Sequence, residues 1–378
     1  MDEMTLEQLA EAKRYGRQDL ICDLLDRVVD VLYLGSVVIC FARTWDGWLE
    51  ESMSIENYWC RLAAMFLLIT VIHILLSFPI SMYRGHWLEH KFKLSTQTFR
   101  SWLWRYTKRN LLTLLFGVVI MEGLFAIIFW TGSWWWLVAS VGFFLLSVGL
   151  GQLAPILILP LFYSVEKLEN EELAERFAEL SKGTGLSIEG VYRMSMSDET
   201  VKANAMLAGL GRTRRVILGD TLLDDFSREE LEVVFAHEVG HHVHRHIRTM
   251  ILAGLIYSVL GFFLCHHVVS LWTADSQWVS DAPIAVLAVL MLSVAIFSQL
   301  LEPVQNAISR HFERQSDRYA LDRTLNPEAY RSAFTKLAVI NKADPNPNWL
   351  EVFLFHSHPP IAERLSMSEN SRILSQMS

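Results

Sequence analysis

Two imidazoles stand one helical turn apart in His237-Glu238-Val239-Gly240-His241, with a carboxylate between them. On a helix, residues at this spacing share a face, so His237 and His241 can both bind one metal ion. Neutral imidazole suits zinc, and a coordination position left open admits water. Zinc lowers the pKa of such a water to about 7, and Glu238 is placed to take its proton. The chemistry implied is metal-assisted hydrolysis. The bare pattern also arises by chance on the wet side of an amphipathic helix, so its helical context matters. Ser227-Arg228-Glu229-Glu230 supplies that context as a capping box, with Ser227 as cap and Glu230 reaching back.

A third ligand must come from elsewhere. His244 follows His241 on the same helical pattern, but ligands stacked along one helix crowd a tetrahedral site. Glu313 is the better candidate, and Asp317 lies one turn after it. Asp317 is spaced to accept a hydrogen bond from a ligand imidazole and so orient it. The competing reading of this pair is a solvated helix face neutralised by Arg310, Arg314 and Arg318.

The elements that position these residues are largely apolar. The 378-residue chain is 52% hydrophobic and only 20% charged, which is apolar for a soluble protein. Its mean hydropathy is +0.27. Six segments are long enough to span a bilayer or nearly so: 28–42, 60–82, 111–130, 134–162, 249–272 and 283–304. The first is short and carries Asp30, and the fourth carries Pro155 and Pro160, where it is expected to bend or break. Arg84, Lys91, Lys93, Arg100, Arg105, Lys108 and Arg109 crowd one loop, whereas 131–133 and 273–282 hold no Lys or Arg. Counted over alternate loops, the positive-inside rule puts both termini in the cytoplasm. Trp45, Trp48, Trp59, Trp130, Trp134 to Trp136, Trp272 and Trp278 then fall near the outer face, where indole rings favour the headgroups. His73, Glu122, Gln152, Gln299 and Glu302 sit within spans, which points to a wet cavity between helices or to interhelical hydrogen bonds.

The N-terminus is polar and acidic, unlike a signal peptide. The net charge of -8 gives no reason to invoke nucleic acid. Cys22, Cys40, Cys60 and Cys265 form no C-x-x-C pair and read as small buried apolar residues, a reading preferred to a Cys40–Cys60 bridge near one membrane face.

Between the fourth and fifth spans lies a polar insert, 164–248. Its 169–182 stretch has helical spacing, stopped by Gly183 and Gly185. Stretches 190–196, 201–208 and 215–218 read as short strands. After the sixth span, 307–323 is helical again. The expected fold is mainly α: a polytopic helical bundle of about six spans, with an α+β hydrolase domain on the cytoplasmic side that is split around a membrane hairpin. The expected divisions are 1–163, a membrane region of about four spans; 164–248, the first half of the protease domain; 249–304, the hairpin; and 305–378, the second half.

These motifs together resemble the integral-membrane zinc endopeptidases of the CAAX prenyl protease 1 family. Asn204-Ala205 and Arg215-Val216-Ile217-Leu218-Gly219-Asp220-Thr221-Leu222-Leu223 are similar to that family's strands before the zinc helix. Ser309-Arg310, Glu313 and Asp317 resemble its third-ligand helix, and His356-Ser357-His358-Pro359-Pro360 with Arg364 its C-terminal block. The 89–99 stretch is similar to its membrane-loop pattern, and the match covers most of the chain from about Leu76 on.

The resemblance implies a gluzincin site: one zinc ion on His237, His241 and Glu313, with Glu238 as base. It implies a helical bundle around a water-filled chamber and an edge strand at Asn204-Ala205 where peptide substrate adds. It also brings His358 and Arg364 near the metal, where either could stabilise an oxyanion. Two departures stand out: about six spans rather than the seven of eukaryotic members, and Ser316 where the family usually has Ala.

The activity expected is zinc metalloendopeptidase action on membrane-associated, prenylated or misfolded polypeptides. The short form inclines to a bacterial inner-membrane enzyme with its active site on the cytoplasmic side. The competing classes are a scaffold that keeps zinc for structure, and a transporter, which the intramembrane Glu122 and His73 would serve.

Overall fold

Apolar runs flanked by caps dictate most of the architecture. The computed structural model describes residues 4–209, 214–274, 279 and 283–377, with side chains described up to residue 369. Trp278 and most of the 273–282 loop lie outside them. Among the described residues, four runs are long and apolar enough to cross a membrane: Tyr58–Lys91, Phe99–Leu157, His246–Thr273 and Val286–Thr324. The second holds two helices joined by a short turn at Gly132–Trp134, where Gly132 has φ 53°. Five of the six expected spans are therefore met.

The sixth differs. Helix α1, Leu6–Ser36, passes through a π-turn at Val37–Phe41 and continues to Glu51. The 28–42 segment is thus the middle of one long helical run. Its apolar character is diluted by Asp23, Arg27 and Asp30, which pair with side chains on other helices. The remaining membrane helices are α2 (Tyr58–Met82), α3 (Phe99–Thr131) and α4 (Trp135–Leu157). Helix α4 runs through Pro155 and gives way at Leu159–Leu161 to a 3-10 turn containing Pro160.

The polar insert begins with strand β1 (Val165–Lys167), which sequence pattern missed, and helix α5 (Glu171–Ser181), capped by Asn170. Strands β2 (Ile188–Met194), β3 (Ala205–Ala208) and β4 (Arg214–Gly219) complete a sheet of order β1-β2-β4-β3. β2 and β4 are parallel, and β3 runs antiparallel to β4 as an edge strand. Strand β3 starts one residue after Asn204, whose carbonyl accepts from Gly219 N at 2.9 Å.

Helix α6 (Arg228–Val243) starts at the expected capping box, with both Ser227 and Glu230 engaged. Helix α7 (His246–Thr273) follows after a break of two residues. The expected sixth span and the separate 307–323 helix are one element, α8 (Val286–Thr324), which continues through Pro303. Helices α9 (Pro327–Ile340), α10 (Trp349–Phe355) and α11 (Ile361–Met377) close the chain.

There are two main cores. One joins α1 to the membrane helices through residues such as Phe125, Trp135 and Val286. The other joins sheet, α5, α6, the end of α8 and α9, through Phe177, Val216, Phe235, Leu321 and Tyr330. This second core draws on both sides of the membrane hairpin, so the two polar segments pack as one body. All four cysteines are free; Cys22 and Cys265 are buried as expected, whereas Cys40 and Cys60 are exposed and unbridged.

Candidate metal centre

Helices α6 and α8 cross closely at Gly240. A Cβ added there would lie 2.8 Å from Ser316 Cα, so only glycine permits this approach. The crossing sets His237 and His241 of α6 against Glu313 of α8. His237 Nε2 and His241 Nε2 are 3.2 Å apart, and each lies 3.3 Å from a Glu313 carboxylate oxygen. Ligands held tetrahedrally at 2.0–2.1 Å from zinc are separated by about 3.3 Å. The three side chains thus have the spacing that one such ion requires. Glu313 is 5% exposed, and its buried Oε2 meets no donor at hydrogen-bonding angles. Uncompensated anionic oxygen in a buried site is what a cation would satisfy.

The residues behind the triad fix its orientation. His237 Nδ1 lies 2.9 Å from Asp317 Oδ1, leaving Nε2 to face Glu313. Asp317 is wholly buried and accepts from Arg364 Nε at 2.9 Å. The solvated-face reading of Glu313 and Asp317 is therefore overturned: both point inward, and Arg314 pairs with Glu363 instead. Burial presses the His237 pKa down, but the facing Asp317 and Glu313 carboxylates outweigh it and raise it to about 9. Burial raises the Glu238 carboxyl above its usual range, against the lowering influence of His237 and His241.

His358 and Arg364 part company. His358 is largely exposed, with Nδ1 2.9 Å from Glu313 Oε2. Arg364, the other residue expected near the metal, lies 3.8 Å from Glu313 Oε2, is 7% exposed and closes its fork on Asp317. Asn204, Ala205, His237, Glu238, Glu313, His358 and Arg364 all line one cavity of about 700 Å³. Glu302 lines it too, paired with Arg27, whereas His73 is engaged with Asp30 elsewhere. The loop leading to β3 is held by Asp220, whose carboxylate accepts from Met196 N at 2.8 Å and Ser197 N at 3.0 Å.

Four contributors escaped sequence reasoning. Arg310 donates to Val352 O at 2.8 Å, and Asn306 to Leu354 O at 2.9 Å, which fixes α10 and the tail that carries His358. His246 sits 3.1 Å from His241 Nδ1 and 2.8 Å from Gln315. None of these contacts has a spacing rule; Arg310 stood as a surface charge and as part of the third-ligand motif, with no role assigned. His244 caps α6 and lies outside the triad.

A mostly helical membrane fold with a His-His-Glu cluster at a helix crossing defines a class, the membrane metalloproteases. Comparison with known proteins places the chain within it. Residues 167–371 match the model of peptidase family M48, and residues 1–164 match the CAAX prenyl protease N-terminal model, described as five membrane helices. The chain belongs to peptidase family M48 and is a membrane metalloprotease. Residues 1–164 hold four helical runs among the described residues, one fewer than that description.

An uncharacterized metalloprotease, YhfN, of Bacillus subtilis is 27% identical, covering 97% of this chain and 86% of its own length. The CAAX prenyl protease 1 of Saccharomyces cerevisiae is 27% identical over 79% of this chain and 70% of its own. The crystal structure of S. mikatae Ste24p superposes with a TM-score of 0.82 at 23% identity, covering 96% of this chain and 89% of that one. That likeness bears on the fold.

Proposed function

We propose that the chain is a zinc metalloendopeptidase that cleaves membrane-associated polypeptides near the cytoplasmic membrane face. The observation that carries this is the close grouping of His237 Nε2, His241 Nε2 and the Glu313 carboxylate, 3.2 Å between the imidazoles and 3.3 Å from each to one carboxylate oxygen, opening on a cavity shared with Glu238. Held by His237, His241 and Glu313, a zinc ion would supply Lewis acidity toward the scissile carbonyl and toward water near neutral pH.

The chain's own residues do the rest. Asp317 holds His237 in the tautomer whose Nε2 is free to ligate. Glu238 takes the proton from water and later passes it to the leaving amine. Its raised pKa suits a group that must both accept and release a proton. His358, the exposed member of the tail, stabilises the oxyanion. Arg364 neutralises Asp317. Peptide adds beside β3 at Asn204-Ala205, where the sheet has an unpaired edge against the cavity. Among the described residues the metal-ready group has three members, not four. That leaves a coordination position for water, which favours catalysis over a structural scaffold.

The protease domain comprises 164–248 and 305–378, split by the hairpin 249–304 and preceded by the membrane region 1–163. Both termini and the site face the cytoplasm, on the strength of the loop charges. The Bacillus relative, which matches nearly the whole chain, favours a bacterial inner membrane. The yeast relative's name extends the substrate class to prenylated tails; misfolded membrane polypeptides are the other class the cavity would admit.

The test is full-length protein in proteoliposomes with membrane-tethered and soluble peptides, with and without chelator, beside Glu238→Gln. The expected result is preference for the tethered peptide and a fall of about 10²–10⁴-fold in the variant. Undiminished cleavage by Glu238→Gln overturns the mechanism.

A further inference from the structure

His241 uses both ring nitrogens. Nε2 faces His237 and Glu313, and Nδ1 faces His246 Nδ1 at 3.1 Å. His246 comes five residues after His241 in the chain. On an unbroken helix that offset would turn its side chain about 140° away. The break prevents this. Helix α6 ends at Val243, His244 caps it, and Arg245 takes a left-handed conformation, φ 57° and ψ 33°, before α7 begins at His246. The reversal returns the His246 ring to His241. The ring is 2% exposed and stacks on Phe312, with centroids 4.2 Å apart and planes 13° from parallel. Its Nε2 then reaches Gln315 Oε1 at 2.8 Å.

Ligation by His241 selects one of the two protonation patterns that this row of groups admits. Two neutral imidazole nitrogens facing each other need a proton on one of them. If the Gln315 oxygen accepts from His246 Nε2–H, then His246 Nδ1 carries a lone pair. It accepts from His241 Nδ1–H, and His241 Nε2 is bare and able to ligate. If the Gln315 amide were reversed, its NH₂ would donate to His246 Nε2, and His246 Nδ1–H would donate to His241 Nδ1. A neutral His241 would then carry its proton on Nε2, with no lone pair for a metal.

We infer that Gln315 and His246 form a relay that sets the tautomer and ring plane of His241, the counterpart of Asp317 for His237. His246 is thus a positioning residue, not a catalytic one. The inference rests on the zinc site proposed above.

The test compares zinc affinity, by chelator competition on the full chain in detergent, for the wild type, His246→Ala, Gln315→Met and Gln315→Glu. Loss of such an orienting partner typically costs 10–100-fold in metal affinity. We expect His246→Ala to weaken zinc by about that factor and Gln315→Met to weaken it less. Gln315→Glu, which keeps an acceptor, binds as tightly as the wild type or tighter. The melting temperature of metal-free Gln315→Met stays at the wild-type value, which a merely structural role would lower. The d–d spectrum of the cobalt-substituted protein shifts in the two weakened variants and not in Gln315→Glu. Wild-type affinity in both His246→Ala and Gln315→Met, or equal losses in Gln315→Glu and Gln315→Met, overturns the relay while the zinc site stands. A wild type that binds no zinc overturns the site and the relay with it.

Discussion

Polar side chains gather at the crossing of α6 and α8 and again along the cavity wall formed by α1, but to different ends. At the crossing, His237, His241 and Glu313 converge on one point, and each histidine is backed by a further polar group. Glu313 and Asp317 are almost or wholly buried. Along the wall, Arg27 pairs with Glu302 and Asp23, and Arg84 with Asp19 and Asp23. Those groups are partly exposed and satisfy one another. The crossing therefore buries a carboxylate and two imidazoles facing one point, which is what a cation needs. The wall cancels its charge, which ties α1 to α8 and α2 and leaves a wet surface without a second reactive centre.

The sharpest way to break this contrast is to remove Asp317. Asp317→Ala leaves Arg364 buried without its carboxylate, and breaking such a pair costs about 3–5 kcal/mol. We expect a large fall in chemical-denaturation stability together with weakened zinc binding. Stability within about 1 kcal/mol of the wild type would put the crossing on the same footing as the wall.

Gly240→Ala comes next. Its Cβ would press on Ser316 Cα at 2.8 Å and Ser316 O at 3.2 Å, both backbone. Overpacking of this kind costs about 1–3 kcal/mol. A shift of about 1 Å between catalytic elements costs roughly 10²-fold in rate. We expect activity to fall by at least that factor, with zinc stoichiometry below one per chain. Wild-type kcat/KM in this variant would mean that the close approach does not hold the site.

The wall should respond far less. Arg27 and Glu302 are 24% and 29% exposed, and exposed pairs are worth about 0.2–1 kcal/mol. A double-mutant cycle of Arg27→Met and Glu302→Gln should give a coupling energy of about 1 kcal/mol or less. Zinc affinity should be untouched. A coupling above about 3 kcal/mol would make the wall ion pairs as strong as those of the crossing and erase the contrast.

The same contrast explains what could be read from the sequence. The two histidines were legible because their spacing follows from helix geometry alone, whereas Glu313, on another helix, needed the resemblance. His237, His241 and Asp317 lie one turn from a partner, and the Ser227 box marks where the helix starts. The apolar runs gave the membrane helices for the same reason. What stayed hidden depends on where the chain departs from periodicity. The 28–42 segment and its neighbours form one helix to Glu51 because their charges are met by other helices. Continuity of α8 through Pro303 joined two elements that a proline and a change in polarity had divided. Strand β1, three residues long, is too short to show alternation. Arg364 was placed near the metal by resemblance, but only packing shows its fork closing on Asp317.

Arg245 is the junction between the site and the membrane hairpin, and it carries the smallest effect. It is exposed and holds a positive φ of 57°. The left-handed region costs an L-residue other than glycine roughly 1–2 kcal/mol. Glycine adopts it freely but loses more chain entropy on folding. These terms partly cancel, so Arg245→Gly should stabilise the protein by about 0.5–1 kcal/mol. A melting experiment would read this as a small rise. Because the turn geometry is kept, His246 stays against His241 and zinc affinity is unchanged. A fall in melting temperature would show that the Arg245 side chain contributes more than its backbone costs. Unchanged stability with weakened zinc would show that a stiff turn, beyond its shape, is needed to hold His246 in place.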